Sequence, residues 1–226
     1  MQQIKLSFLK KVLIVSYQFP PFASPGVQRV INLVNYLPKF GYEPIVLTLK
    51  KEDLPKIEVN SDASLEELIL NHVDVRRVDS YPLNSFASFL MKLKIYRIFW
   101  FFFYPLLWEW SFLWSIKTVK KARQIIEEEQ INLVYTSSAP FSTMILGYLL
   151  KKRTGVKWVA DLRDPFTDAY VWQFPTKVHW YLARIFERWL FSKPDMLVVN
   201  TAEVKKLYLS RALRTENDIV VINNGF

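Results

Sequence analysis

Lys11-Val-Leu-Ile-Val-Ser16 is apolar at consecutive positions rather than alternate ones, the pattern of a strand buried on both faces. After it come Val27, Val30, Ile31, Val34 and Leu37 at helical spacing, closed by Pro38 and Gly41. The pairing recurs along the chain. Further strands are predicted over Glu43–Leu49, Val73–Val78, Ile131–Thr136, Val156–Leu162, Asp195–Asn200 and Ile219–Ile222. Helices are predicted over Phe141 to about Arg153, Thr176–Phe191 and Ala202–Leu213, and Ser64-Leu-Glu-Glu67 resembles a capping box before a short helix reaching Leu70. Such alternation predicts an α/β, Rossmann-like parallel sheet flanked by helices. Right-handed crossovers then bring every βα loop to one edge, where open sheets bind ligands. The loops of interest are Tyr17–Gly26, Ser137–Pro140 and Arg163–Pro175.

Composition removes several alternatives. Half of the 226 residues are apolar, enough for a sizeable core. Without cysteine there is no disulfide framework or thiolate metal site, and two histidines, His72 and His179, leave little for a histidine metal site or a Ser-His-Asp triad. No thiolate or histidine-rich metal site is therefore expected. His72 reads as a loop residue, His179 as a surface residue, and Glu127-Glu-Glu129 as a solvated helix end. The net charge of +9 draws a chain toward nucleic acid, anionic lipid or phosphorylated small molecules. No nucleic-acid signature is present, and the one tight cluster, Lys151-Lys152-Arg153, falls at a helix end where cations complement the dipole.

The segment from about 85 to 116 reads as an aromatic helical insertion, with Trp or Phe at 99–103 and again at 108, 110, 112 and 114. Ile95–Ile116 has the length of a membrane span, about 20 residues. Arg97, Pro105 and Glu109 interrupt it, and a span there would divide one sheet across a bilayer. Two readings remain: helices packed on the sheet, or a patch lying on a membrane surface among Lys92, Lys94, Arg97, Lys117, Lys120 and Lys121.

Three loops carry candidate chemistry. Ser16 to Arg29 holds a single glycine, Gly26, so it lacks the dinucleotide fingerprint. A glycine at a helix start lets backbone approach a ligand, and free N–H groups there favour phosphate. Arg29 either pairs with phosphate or faces solvent, the latter slightly preferred. Ser137 and Ser138 suit hydrogen bonding to a ligand or capping of the next helix. Asp161, Arg163 and Asp164 end a strand. An acid there can hold hydroxyl groups or take a proton, and Pro165 keeps Asp164 extended.

Four blocks carry a resemblance, in order: Phe19-Pro-Pro-Phe-Ala-Ser-Pro-Gly-Val-Gln-Arg29 with Tyr36 to Thr48, Tyr135-Thr-Ser-Ser-Ala-Pro-Phe-Ser142, Trp158-Val-Ala-Asp-Leu-Arg-Asp-Pro-Phe166, and Val221-Ile-Asn-Asn-Gly-Phe226. They resemble the N-terminal domain of glycosyltransferase family four, in the subgroup with a Phe-Pro-Pro first loop. The resemblance implies the N-terminal half of a GT-B fold, a single acceptor-side domain over 1–226. The donor-binding domain would be a second unit beyond Phe226, and this half alone would turn over little. It implies a retaining, hexosyltransferase-like enzyme of cell-surface polysaccharide synthesis. The enzyme would move a sugar from a nucleotide-sugar co-substrate, with no cofactor, to a glycan or lipid-linked acceptor at the cytoplasmic membrane face. Gly26, Gln28 and Arg29 map near the donor phosphates. Ser137, Ser138, Arg163 and Phe22 map near substrate, and Asp164 and Asp161 are the catalytic candidates. Where many members carry a histidine after the fourth strand, this chain has Ser137 and Ser138. Serine cannot replace imidazole as a base at neutral pH. The alternative is a non-catalytic glycan-binding, partner-binding or peripheral membrane module.

Overall fold

A computed structural model describes residues 10–53, 60–70, 73–80, 92, 101, 111–168, 174–211 and 213–224. Its strands are β1 (Lys10–Ser16), β2 (Tyr42–Leu49), β3 (Asp74–Val78), β4 (Leu133–Ser138), β5 (Lys157–Leu162), β6 (Met196–Val199) and β7 (Ile219–Val221). Its helices are α1 (Pro25–Tyr36), α2 (Ser64–Glu67), α3 (Ser111–Glu128), α4 (Ser142–Thr154), α5 (Lys177–Phe191) and α6 (Ala202–Ser210). Short 3-10 turns precede β2 and β7. The seven strands form one sheet in the order β3-β2-β1-β4-β5-β6-β7, and every pairing is parallel. This is the predicted Rossmann-like architecture.

The consecutive apolar run of β1 is buried on both sides, as its pattern requires. Val12 and Ile14 pack with Val30 and Val34 of α1. Leu13 and Val15 join the larger cluster that includes Trp114, Ala122 and Ile125 of α3. Chain order reverses between β1 and β4, where the register sets Ser16 beside Ser137 and Ser137 beside Asp161. That switch opens a crevice at the carboxyl edge.

Several local expectations are corrected. The Ile95–Ile116 stretch lies largely outside the described residues. Its last part starts α3, and Trp114 is fully buried with its indole Nε1–H donating to the Val78 carbonyl at 3.1 Å. That residue belongs to the core, where a large side chain contributes about 1.5–3 kcal/mol by burial, and not to a lipid-facing patch. α2 stops at Glu67, and no Ser64 capping box forms; the Asp62 carboxylate instead accepts from the Ser64 amide at 2.9 Å. α4 is not capped by Ser137 or Ser138: its N-cap is Phe141, without a side-chain bond. Its last turn does carry Lys151, Lys152 and Arg153, with Gly155 ending it at φ +73°. Glu129 is no free solvated acid, for it pairs with Lys11 at 2.6 Å and with Arg76. Among the described residues no helix is long and apolar enough to cross a membrane.

Candidate functional site

The loop after β1 turns back over the sheet and is braced from two sides. Arg77 Nη2 donates to the Pro20 carbonyl at 2.6 Å, and Phe22 forms an antiparallel bridge with Ser61. The ring of Phe22, expected to meet substrate, is instead buried in the core at 4% exposure. Pro25 opens α1 and Gly26 follows in its first turn; Ser24, at the N-cap, gives its hydroxyl to Gln18 Oε1 at 2.9 Å and not to the helix. The first-turn amides of α1 therefore have no side-chain acceptor from their N-cap, the arrangement that suits an anion. Gln28 is exposed and reaches Asn32 along the helix.

Arg163, at the end of β5, folds over this turn. Its Nε donates to the Ser138 carbonyl at 2.7 Å and one Nη to Gln18 Oε1 at 3.2 Å and to the Ala139 carbonyl. A Cβ on Gly26 would lie 0.8 Å from the other Nη. The missing side chain at 26 is thus the space the guanidinium fills. Burial pushes the Arg163 pKa down, against the pull of Asp161 and Asp164, yet an arginine stays charged. The result is a cation held against the first turn of α1 by the loops after β1 and β4.

Arg29 does not face solvent. It forms a bidentate pair with Asp161, Nε to Oδ2 and Nη2 to Oδ1 at 2.8 Å each, and only 8% and 1% of the two side chains are exposed. Its remaining nitrogen donates to the Ile222 carbonyl at 2.7 Å, the Asn223 carbonyl at 3.3 Å and Asn224 Oδ1 at 3.2 Å. Tyr135 abuts this pair; desolvation first, then the Asp161 charge, pushes its phenol well up, so it stays protonated. Ser138 Oγ donates to the Asp161 carbonyl at 2.8 Å. Ser137 Oγ is buried without a hydrogen-bond partner among the described residues, while the Ser137 carbonyl accepts from Thr143.

Asp164, alone of the predicted acids, is exposed at this edge. Its loop is fastened behind it. Phe166 N–H donates to the buried Tyr208 hydroxyl at 3.2 Å, and Thr167 gives its amide and hydroxyl to Glu187 of α5 at 3.2 and 2.9 Å. Burial raises the Glu187 pKa, opposed by those Thr167 bonds and by Arg211. The structure thus brings Gly26, Arg163, Ser137, Ser138, Asp161 and Asp164 to one edge. Gln28 stands beside them on the exposed side of α1, and Phe22 lies beneath. Sequence reasoning missed Gln18, Tyr135, Thr167 and Glu187. Gln18 and Thr167, polar residues inside loops already singled out, gave a signal. His179 was expected at the surface but is buried at 7%, its ring between Thr176 and the Phe101 carbonyl.

No group of acids and histidines able to hold a metal occurs among the described residues. A cavity of about 620 Å³ opens at the amino ends of the strands, among Lys10, Lys11, Tyr42, Glu129 and Lys157. It lies across the sheet from the βα loops, and Glu129 there is already paired.

Comparison with known proteins accords with this geometry. None of the curated proteins matches the chain in sequence. Among solved structures, a glycosyltransferase from Rickettsia africae ESF-5 superposes with a TM-score of 0.52 at 17% identity, covering 95% of this chain and 43% of that one. The Anabaena protein Alr3699/HepE, solved with UDP and glucose, gives 0.52 at 13% identity over 96% and 45%. The UDP-GlcNAc 2-epimerase of Methanocaldococcus jannaschii gives 0.52 at 14% identity over 94% and 45%. The chain therefore spans less than half the length of each, and at such identities the likeness shows the fold alone. The family model described as Glycosyltransferase Family 4 matches residues 26–226, and the chain belongs to that family.

Proposed function

We propose that this domain is the acceptor-side half of a retaining glycosyltransferase that moves a sugar from a nucleotide-sugar to a glycan or lipid-linked acceptor. One observation carries the reading: the loops after β1, β4 and β5 converge at the sheet's switch point on a helix start with a fixed cation beside it. Backbone amides and a guanidinium together match the charge of a diphosphate. Similar structures include one solved with UDP and one that is a UDP-GlcNAc epimerase, which supports a nucleotide-sugar donor. In this reading Gly26 and Arg163 meet the donor phosphates, with Gln28 at the rim. Asp164 holds an acceptor hydroxyl or takes its proton. Arg29, Asp161 and Ser138 hold the edge in shape rather than touching substrate, because their polar atoms are already engaged with protein. No cofactor is required.

Sugar transfer by the protein joined to a donor-binding half tests this, using a panel of nucleotide-sugars and extracted glycan and lipid-linked acceptors. Asp164→Asn should lower transfer by at least about tenfold. Unchanged rates would remove Asp164 from the reaction. A second reading, a glycan-binding module without turnover, is favoured by Ser137 and Ser138, which stand where many members carry a histidine. Donor binding without transfer to any acceptor would support it.

A further inference from the structure

α5 is amphipathic in an unusual way. Its buried face carries His179, Ala183, Glu187 and Leu190. The opposite face is also apolar: Val178, Tyr181, Leu182, Ile185 and Trp189 recur at helical spacing and are all exposed, Val178 and Tyr181 by 65% and 63%. Alongside this stripe runs a second, of Lys177, Arg184 and Arg188, with Lys177 two turns before Arg184 and Arg184 one turn before Arg188. The exposed face holds no carboxylate of its own, since the one acid of the helix, Glu187, is 1% exposed and points inward to Thr167 and Arg211. Arg184 leans over the Trp180 ring and toward Asp168, and Lys193 lies 5.8 Å over the Trp189 ring. Among the described residues Lys177 and Arg188 enter no ion pair.

We propose that this face of α5 docks the domain onto an anionic lipid bilayer. An exposed apolar stripe edged by cations, with Trp and Tyr at the boundary, matches an acyl surface under negative headgroups. A second copy of the chain is a poorer occupant. A two-fold contact would bring two all-cationic stripes toward one another. The inference stands apart from the proposed chemistry. It also differs from a membrane patch over Ile95–Ile116; within that stretch, among the described residues, Phe101 sets its ring 4.7 Å from that of His179 in α5.

The test is flotation of the protein with vesicles of phosphatidylcholine, with and without 30% phosphatidylglycerol, a composition in the anionic range where basic residues act. Wild type should float with the anionic vesicles and lose most binding on raising salt from about 0.1 to 0.5 M, as screening shortens the Debye length. Tyr181→Ser/Ile185→Ser/Trp189→Ser should reduce anionic-vesicle binding by at least about tenfold. Lys177→Glu/Arg188→Glu should do the same. All five positions are exposed, so circular dichroism of each variant should match wild type. Equal flotation by the triple variant would overturn the inference. So would loss of binding only when Trp100, Trp108 and Trp110 are replaced, which would assign docking to the aromatic stretch. Absence of flotation, with a dimer in sedimentation that the triple variant abolishes, would give the face to a second copy.

Discussion

Replacing Gly26 with alanine isolates the contact on which the site's shape depends. Gly26 lies in the first turn of α1 with an ordinary backbone, so helix preference alone would favour alanine by up to about 1 kcal/mol. The added Cβ, however, would sit 0.8 Å from Arg163 Nη1 and 2.0 Å from its Cζ. No small adjustment relieves that overlap, and the guanidinium must leave. Its bonds to the Ser138 carbonyl, the Ala139 carbonyl and Gln18 Oε1 go with it. Bonds to a charged group contribute about 1.5–3 kcal/mol each where they stand, but the evicted cation regains water. We expect a net loss of about 2 kcal/mol after the helix gain. For a chain of this size that is a melting temperature lower by about 4–8 °C. Calorimetry of Gly26→Ala, Arg163→Ala and the double variant decides the matter. Once Arg163 is gone, alanine at 26 should be neutral or mildly stabilising, so the two losses should be strongly non-additive. A Gly26→Ala protein melting like wild type, or simple additivity in the double variant, would refute the packing of Arg163 into the glycine's space.

Gly147→Ala should destabilise by about 1–3 kcal/mol through overpacking, because its Cβ would approach the Trp158 indole to 2.3 Å and that ring is pinned by Nε1–H donation to Thr136; an unchanged urea midpoint would contradict it. Arg29→Ala strands the buried Asp161 carboxylate and should cost about 3–5 kcal/mol in denaturant titration, partly restored by adding Asp161→Asn; a loss below about 1 kcal/mol would mean the pair is open in solution. Hydrogen bonds from Arg76 and then Lys11 hold Glu129 at about 2, against an ordinary 4.5. The unfolded chain therefore takes up this proton first as pH falls, and the stability that Glu129 contributes is present above about 4.5 and lost on going down through about 2. Glu129→Gln should flatten that acid limb in a pH series of melting temperatures, and an unaltered limb would place Glu129 outside its pairs.

Local pattern made the sheet legible. Strands buried on both faces show as consecutive β-branched runs, and each predicted strand appears within a residue or two of its expected bounds. The edge where the candidate loops gather was equally legible, since parallel order and crossover handedness decide it. What one side chain does with another was not. Arg29 and Asp161 lie 132 positions apart, and no spacing rule joins them. The exposed apolar face of α5 escaped for a related reason: Val178, Ile185 and Leu182 look like core residues beside Ala183, Leu190 and Phe191, and only the sheet's position tells the faces apart. Trp114 shows the converse. Its aromatic neighbours in sequence left a helix packed on the sheet and a membrane-surface patch equally open, and only its place in α3 decides for the core.

The third nitrogen of Arg29 reaches beyond its ion pair to the backbone just after β7. β7 has three residues and, among the described residues, a neighbour on one side only, so it is an edge of the sheet open to fraying and to pairing with a foreign strand. A residue of the first helix therefore guards the opposite margin of the sheet. Opening that margin means breaking the link to α1, although nearly the whole chain separates the two.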